Sequence, residues 1–256
     1  MQNINKISDN LVKAFLTNKI ISPIPLKYSK NINLANKLRK LCESKVKKPI
    51  IGFKAGGTAI PLLKKLGEKE PFYASIFNHN FLKSGKTVKI NKYTLGIELE
   101  VCYLIKKSFF KSKNKITIKN ITKYISHMSP CIEVVGYRQK KKDLKYLGDI
   151  CSDFGGNIKF LIGQKKKYKK INLNNLSTII KHKSGNNFTK GNANTVYKNP
   201  LNSCRFVLNK IREDQINLGK DFYVFTGSTV GVVPILKKGL YIGKIDKLGS
   251  VKAKII

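Results

Sequence analysis

Two glutamates, Glu98 and Glu100, lie two positions apart within an otherwise apolar run at residues 95–105. Successive side chains of a β-strand point to opposite faces, so this spacing predicts that both carboxylates lie on one face of a strand. The other face then carries only apolar or aromatic side chains, namely Ile97, Leu99, Val101 and Tyr103. The sequence therefore predicts a strand face with two paired carboxylates.

A third candidate, Glu133, lies in a second apolar run at residues 130–138. The chain has only 14 acidic residues, so carboxylates inside apolar segments stand out from its composition. Burial of unpaired carboxylates is costly and like charges repel, so a positive group should lie between the three. A hard divalent cation, Mg²⁺ or Mn²⁺, prefers oxygen ligands and leaves positions open for water and substrate. On the residues alone, the alternative is that these glutamates point to solvent or pair with lysines.

Three glycine-rich segments follow predicted strands, at residues 52–58, 153–157 and 226–231. Glycine lets backbone N–H groups approach an anionic ligand closely. Lys54, in the first segment, has a side chain that can donate a proton or anchor a carboxylate. Ordinary tight turns are the alternative explanation for each segment.

The formal net charge of +37 would, by itself, favour a nucleic-acid partner. Only four of the 51 basic residues are arginines, however, whereas recognition of bases and phosphates favours the guanidinium group. The lysines are scattered among many Asn and Ile residues, which is typical of codon drift in an A/T-rich genome. A basic nucleic-acid-binding protein is therefore a remote alternative, and we expect no specific nucleic-acid partner.

The five cysteines are odd in number, widely spaced and never in a C-x-x-C pair. This pattern predicts reduced, mostly buried thiols rather than a disulfide framework or a zinc site. No run of 18 apolar residues is present, and the first ten residues are too polar for a secretory signal. We therefore expect a cytoplasmic protein with no membrane segment.

The predicted elements indicate an α+β chain in which strands dominate. Helical periodicity in residues 5–18 and 33–43 predicts a small N-terminal helical lobe at 1–48, and a catalytic body follows at 49–256. Further helices are predicted near 119–127 and 200–212. Predicted strands occupy residues 50–53, 73–77, 87–90, 95–105, 131–137, 157–162, 177–182, 222–225, 240–245 and 251–256.

Taken in order, six segments resemble the fumarylacetoacetate hydrolase superfamily, and within it the 2-oxopent-4-enoate (2-hydroxypentadienoate) hydratases and the 2-oxo-3-hexenedioate decarboxylases. They are residues 52–56, 98–100, 130–138, 199–202, 225–227 and 248–251. The most specific feature is the Glu-x-Glu strand followed about 30 residues later by a third strand glutamate, with Thr-Gly downstream. The resemblance implies a mixed β-sandwich roll preceded by a helical region.

The resemblance also implies a site. Its metal ligands would be Glu98, Glu100 and Glu133, with Mg²⁺ or Mn²⁺ as the cofactor, and Lys54 would be the catalytic proton carrier. We further predict that Asp153, Thr226 and Gly227 bind a small 2-oxo acid substrate. Relatives assemble into dimers or larger rings, so we expect a homo-oligomer.

The implied activity is that of a hydro-lyase of aromatic catabolism, which adds water to an enolisable 2-oxo-alkenoate through a metal-stabilised dienolate. The same stabilisation would serve a decarboxylase or an acylpyruvate-type C–C hydrolase, and these stay open as alternatives. A further alternative is a relative that keeps the fold and the metal but has another activity or none.

The sequence departs from the superfamily pattern at three places. Asn78 and His79 stand where an acidic residue is expected, and Phe154 stands where relatives tend to carry Asn. Leu240 follows Gly239 in place of the usual Asp. Loss of a polar group near a metal site can abolish turnover while metal binding persists.

Overall fold

Three helices precede the first strand in the computed structural model, which describes residues 3–141, 143–185 and 188–256. They are α1 (Ile4–Thr17), α2 (Leu26–Lys30) and α3 (Ile32–Lys45). The side chains of Asn3 and Asn31 accept backbone N–H bonds at the starts of α1 and α3, where a helix has no internal partner for these donors. The helices predicted at residues 5–18 and 33–43 are confirmed.

The rest of the chain contains three more helices and a series of strands. The helices are α4 (Ile60–Lys65), α5 (Leu147–Cys151) and α6 (Pro200–Glu213). The strands are β1 (Ile50–Gly56), β2 (Phe72–Phe77), β3 (Phe81–Lys83), β4 (Thr87–Val88), β5 (Thr94–Ile105), β6 (Ile125–Gly136), β7 (Asn157–Ile162), β8 (Lys166–Lys167), β9 (Ser177–His182), β10 (Phe188–Asn192), β11 (Phe222–Ser228), β12 (Gly239–Ile245) and β13 (Gly249–Ile255).

These strands form two mixed sheets, which confirms the strand-rich α+β class. The first has the order β2-β1-β11-β5-β6-β7-β3, with β8 pairing with β6, and the second has the order β10-β9-β12-β13-β4. Most neighbouring strands are antiparallel, whereas β1 and β11, β3 and β7, and β4 and β13 are parallel.

The first sheet is strongly curved. Phe81 of β3 stacks on Tyr223 of β11 with ring centroids 5.1 Å apart, although three strands lie between β3 and β11 in the sheet order. In a flat sheet these strands would lie roughly 19 Å apart, at four inter-strand spacings. The curvature agrees with the predicted roll, whose detailed form stays a prediction.

The main core lies between the two sheets and α6. Ile97, Leu99, Val101 and Tyr103 of β5 are all buried in it, together with apolar side chains of β12, β13 and α6. Because β5 alternates as predicted, its glutamates lie on the opposite face of the first sheet.

The N-terminal helices pack against the sheet through aromatic side chains. Phe15 of α1 stacks on Phe154 at 4.0 Å and meets Phe77 of β2 edge-on at 5.6 Å. The boundary of a separate helical lobe at residue 48 stays a prediction. Within the described ranges, no helix combines the length and apolarity needed to cross a membrane.

The predicted helix at residues 119–127 is wrong. A single 3-10 turn occupies Ile121–Tyr124, and β6 begins at Ile125. Residue His127 pairs with Leu104 of β5, so sheet pairing over more than 20 residues of sequence prevails over the local apolar pattern. Strands β3, β8 and β10 and the short helices α2, α4 and α5 were not predicted.

Candidate active site

The three glutamates meet because of the register between β5 and β6. Glu98 lies directly opposite Glu133 in this antiparallel pair, and Glu100 lies opposite Cys131. Carboxylate oxygens from Glu98, Glu100 and Glu133 all lie within 4.8 Å of one another. The structure therefore brings together the three residues that the sequence predicts as metal ligands.

The surroundings of the three carboxylates disfavour their ionised forms. Glu100 and Glu133 have no exposed surface, and Glu98 is partly buried. Burial, followed by repulsion from Glu133, raises the pKa of Glu98 to about 7, and burial with repulsion from both neighbours raises the pKa of Glu100 well above its ordinary value. Glu100 Oε1 and Glu133 Oε2 are buried with no hydrogen-bond partner among the described residues. Converging carboxylate oxygens that lack donors fit a divalent cation.

Lys54 lies on β1 and reaches the cluster from there. Strand β11 lies between β1 and β5 in the sheet. Lys54 Nζ donates to Glu133 Oε1 at 2.5 Å and to the Gly155 carbonyl at 3.1 Å. Burial alone would lower the pKa of Lys54, but attraction by Glu133 and the two other carboxylates raises it above its ordinary value. The ammonium is therefore charged at neutral pH, and two of its three N–H groups are engaged.

Gly227 binds the cluster through its backbone. Its N–H donates to Glu100 Oε2 at 3.1 Å, and its φ of +102° suits glycine only. A Cβ at this position would lie 2.1 Å from Thr58 Oγ1. The neighbouring Thr226 is buried, and its Oγ1 donates to the Val101 carbonyl at 2.8 Å. Gly227 thus orients a predicted metal ligand, whereas the Thr226 hydroxyl is occupied within the sheet.

A cavity of about 400 Å³ opens next to these groups. Lys54, Glu98 and Gly227 form part of its wall, and the hydroxyls of Thr58 and Thr195 are nearby. The remaining lining is largely apolar and comes from Leu62, Leu95, Val135, Leu144, Ile150, Val230 and Val232. Such a cavity can accommodate a small organic molecule with a polar end and an apolar carbon chain.

Known proteins resemble this chain in sequence and in fold. No protein-family model matches the chain. A 2-keto-4-pentenoate hydratase of Burkholderia vietnamiensis is 24% identical over 206 residues, covering 80% of this chain and 77% of that protein. The structure of 4-oxalocrotonate decarboxylase from Pseudomonas putida G7, complexed with magnesium and adipate, matches with a TM-score of 0.85 at 18% identity, over 99% of this chain and 97% of the other. A protein assigned to the fumarylacetoacetate hydrolase family from Yersinia pestis CO92 matches with a TM-score of 0.52 at 13% identity, over 82% of this chain and 95% of the other.

These likenesses support the resemblance to the fumarylacetoacetate hydrolase superfamily that the sequence motifs indicate. The motifs found in the sequence occur in their expected order, the sequence relative spans most of both chains, and the fold matches over nearly the whole length.

Phe154, where relatives in this superfamily tend to carry Asn, begins a turn of three residues with positive φ. The φ angles of Phe154, Gly155 and Gly156 are 52°, 71° and 69°. A bulky side chain is strained in this region, whereas Asn tolerates it. Stacking of Phe154 on Phe15 holds the conformation, and the turn presents the Gly155 carbonyl to Lys54. In this chain, aromatic stacking of Phe154 stabilises the turn that contacts Lys54 through the Gly155 carbonyl.

His79 stands where an acidic residue is expected in the superfamily. Burial, then the nearby charges of Lys159 and Arg138, lowers the pKa of His79 to about 4, so the ring is neutral at pH 7. The ring packs edge-on against Phe15 at 4.9 Å, and it does not line the cavity. In this chain the position contributes to aromatic packing.

Asp153 is fully buried beside the turn. Its Oδ1 accepts from Arg138 Nη1 at 3.1 Å, and its Oδ2 accepts from the Arg138 backbone at 2.8 Å and from Gln139 Nε2 at 3.3 Å. Its observed contacts anchor the segment just after β6 to the turn that supports Lys54, and it is not part of the cavity wall. Contact of Asp153 or Thr226 with substrate stays a prediction.

One charged residue of the cavity wall was missed by sequence reasoning. Lys190 of β10 lines the cavity together with Gly191. Nothing in the local sequence separates Lys190 from the other lysines, because its position depends on how β10 packs against the segment after β11.

Proposed function

We propose that this chain is a divalent-metal-dependent lyase that adds water to an enolisable 2-oxo-alkenoate, in the manner of a 2-keto-4-pentenoate hydratase. The observation that carries the proposal is the convergence of Glu98, Glu100 and Glu133 beside Lys54 at the wall of a mostly apolar cavity. The hydratase from Burkholderia vietnamiensis supports it as a sequence relative.

Glu98, Glu100 and Glu133 would hold the cation, for which we propose Mg²⁺ or Mn²⁺. The two buried oxygens without donors and the oxygen-only ligand set support this choice, and a magnesium complex is known for the similarly folded decarboxylase. When bound, the cation supplies Lewis-acid polarisation of the 2-oxo group. Gly227 N–H keeps one oxygen of Glu100 fixed, which leaves the other available as a ligand.

Lys54 would carry the proton. Its ammonium is fixed by Glu133 and the Gly155 carbonyl, and its third N–H remains for a substrate atom in the cavity. Proton delivery to the far carbon of a 2-hydroxydienoate, with loss of the enol proton, yields a conjugated 2-oxo-enoate. Addition of water to that product gives a 4-hydroxy-2-oxo acid. Since Lys54 is charged at neutral pH, it serves first as an acid rather than as a base.

Two further expectations are part of this proposal. The N-terminal region 1–48, of which the structure describes residues 3–48, is a helical lobe on the catalytic body, and the enzyme is a homo-oligomer. Light scattering of the purified chain measures the subunit number directly, and a monomer at micromolar concentration would contradict the second expectation.

The test follows the loss of dienol absorbance of 2-hydroxypenta-2,4-dienoate with added Mg²⁺ or Mn²⁺. Turnover that requires the metal, stops with chelator and is lost in Glu98→Gln supports the proposal. Glu70→Gln is the matched control, because Glu70 is exposed and pairs with Lys210 outside the cavity. Calorimetric titration with Mg²⁺ is run alongside, and metal binding without turnover would shift the assignment to a decarboxylase, a hydrolase or an inactive relative.

A further inference from the structure

Phe15, in the last turn of α1, packs against the turn that contacts Lys54. Its side chain is buried, and its ring stacks on the ring of Phe154 with centroids 4.0 Å apart and planes 13° apart. The next residue, Gly155, accepts a hydrogen bond from Lys54 Nζ at 3.1 Å through its carbonyl. The ring that Phe15 covers and the carbonyl that Lys54 binds therefore belong to adjacent residues.

The backbone of Phe154 requires support from the surrounding structure. Its φ of +52° lies in the left-handed region, which a bulky residue adopts only when tertiary contacts impose it. A change of Phe154 to the negative φ that it prefers would redirect the chain that follows. The Gly155 carbonyl would then turn away from Lys54.

Phe15 contacts both supports of this turn. The Arg138 guanidinium donates to the carbonyls of Asp153, at 3.2 Å, and of Asn157, at the two ends of the turn. Its central carbon lies 4.7 Å from the centre of the Phe15 ring and 5.6 Å from the centre of the Phe154 ring. Loss of the Phe15 ring would therefore remove the stacking partner of Phe154 and a packing partner of Arg138.

The position of Lys54 depends on the turn. Lys54 Nζ has two acceptors, Glu133 Oε1 at 2.5 Å and the Gly155 carbonyl, which together fix the direction of the ammonium group. The turn also packs closely, since a Cβ at Gly155 would lie 2.8 Å from Ala74 Cβ and 3.4 Å from Lys54 Cδ. With Glu133 as its single acceptor, the ammonium could rotate away from the cavity, and a displacement of about 1 Å can slow catalysis about 100-fold.

We infer that Phe15 is a positioning residue for Lys54, because its stacking on Phe154 keeps the Gly155 carbonyl in place to hold the ammonium group. The inference rests on the proposed function, in which Lys54 carries the proton, and it adds a residue of the N-terminal helical region to that function. Phe15 acts through the turn, since it is not part of the cavity wall.

The experiment combines Phe15→Ala with Phe154→Asn. Phe15→Ala should lower kcat by about 10- to 100-fold, whereas Mg²⁺ binding should persist because the predicted ligands lie on β5 and β6. Asn tolerates positive φ without a stacking partner, so adding Phe154→Asn should restore most of the lost kcat. The melting temperature of the double variant should nevertheless fall further, because a second aromatic side chain is lost from the core. A merely structural role of Phe15 would make kcat fall further as well.

Ile7→Ala is the matched control. Ile7 is buried on the same helix, eight residues before Phe15 and about 12 Å from it along the helix axis. Its truncation weakens the packing of α1 without removing the stack, so kcat should be kept while the melting temperature falls. An equal loss of kcat in Ile7→Ala and Phe15→Ala, or a double variant less active than Phe15→Ala, would overturn the inference.

A second measurement does not depend on turnover. Acetylation of Lys54 by acetic anhydride is followed by peptide mass spectrometry in the metal-free protein. Loss of the hydrogen bond to Gly155 should make this labelling about three- to tenfold faster in Phe15→Ala, and adding Phe154→Asn should return it to the wild-type rate. An unchanged labelling rate in Phe15→Ala would overturn the role of Phe15. If the wild type shows no metal-dependent turnover, the proposed function fails, and the labelling rates still decide whether Phe15 positions Lys54.

Discussion

Glu98 and Glu133 are direct partners across the antiparallel β5–β6 pair. Two carboxylates at opposed positions of a sheet repel each other, and here a third, Glu100, joins them within 4.8 Å. Lys54 offsets part of this repulsion by its ion pair with Glu133. Without a further positive charge, this arrangement lowers the stability of the folded chain.

Replacement of Lys54 by Met should strongly destabilise the metal-free protein. The change leaves Glu133 buried without its partner, which costs about 3–5 kcal/mol of unfolding free energy. Added Mg²⁺ should restore much of the loss, while turnover falls by about 10²–10⁴-fold because the proton carrier is gone. Thermal unfolding with and without Mg²⁺ checks the first part. A Lys54→Met variant as stable as the wild type in chelator would contradict the pairing.

In the metal-free protein, Glu98 should contribute a loss of stability as the pH rises through about 5 to 7. The pKa of Glu98 is raised in the folded state, to about 7 from the ordinary 4.5, so between these values the folded chain binds more protons than the unfolded chain. The contribution of Glu98 to the unfolding free energy therefore decreases with pH across this window. Bound Mg²⁺ requires ionised carboxylates, so the gain in melting temperature from Mg²⁺ should increase with pH.

Melting curves from pH 4.5 to 8, each in chelator and in excess Mg²⁺, measure both trends. Glu98→Gln has no titrating group at this position, so the stability of the wild type relative to this variant should fall as the pH rises. His79, whose lowered pKa favours folding as the pH rises, contributes to both proteins and cancels in this comparison. A relative stability that rises across the window in chelator would be the opposite of the expected sign.

Substitution of Gly227 by Ala should lower both stability and metal affinity. A Cβ there would lie 2.1 Å from Thr58 Oγ1, on a backbone with φ of +102°, and relief of the clash would move the N–H that holds Glu100. We expect a loss of about 1–3 kcal/mol in unfolding free energy.

Gly231→Ala separates the clash from the backbone strain. Gly231 also has positive φ, at 75°, but a Cβ there meets nothing within 4 Å. Calorimetric titration with Mg²⁺ should show weaker binding in Gly227→Ala and unchanged binding in Gly231→Ala. Equally weakened Mg²⁺ binding in the two variants would mean that Gly227→Ala acts only through backbone strain at positive φ.

Moderate salt should raise the melting temperature. A net charge of +37 on 256 residues makes self-repulsion a destabilising contribution, and added ions screen it over about 10 Å at 0.1 M. Melting curves at low and moderate NaCl, recorded in chelator, test this effect. A constant melting temperature would show that the lysines are far enough apart to repel little.

Local sequence alone predicted the parts of this protein that depend on backbone alternation. The period of two within β5 placed Glu98 and Glu100 on one face and four apolar side chains on the other, and strands β7 and β9 were predicted with their observed bounds. These features follow from the geometry of an extended chain, in which each side chain points opposite to the previous one. The helices α1, α3 and α6 were predicted in a similar way, because their apolar residues recur at the spacing of a helix.

The site itself was decided by contacts between segments far apart in sequence. The register that opposes Glu98 to Glu133 and the order β1-β11-β5 that brings Lys54 to the cluster depend on packing of the whole sheet. The contacts of Asp153 with Arg138, and the place of Lys190 in the cavity wall, also have no local signal. The alternation of side chains along a strand determines the face of the sheet on which each side chain lies. The burial of apolar side chains in the common core determines which strands pair and which residues meet on that face.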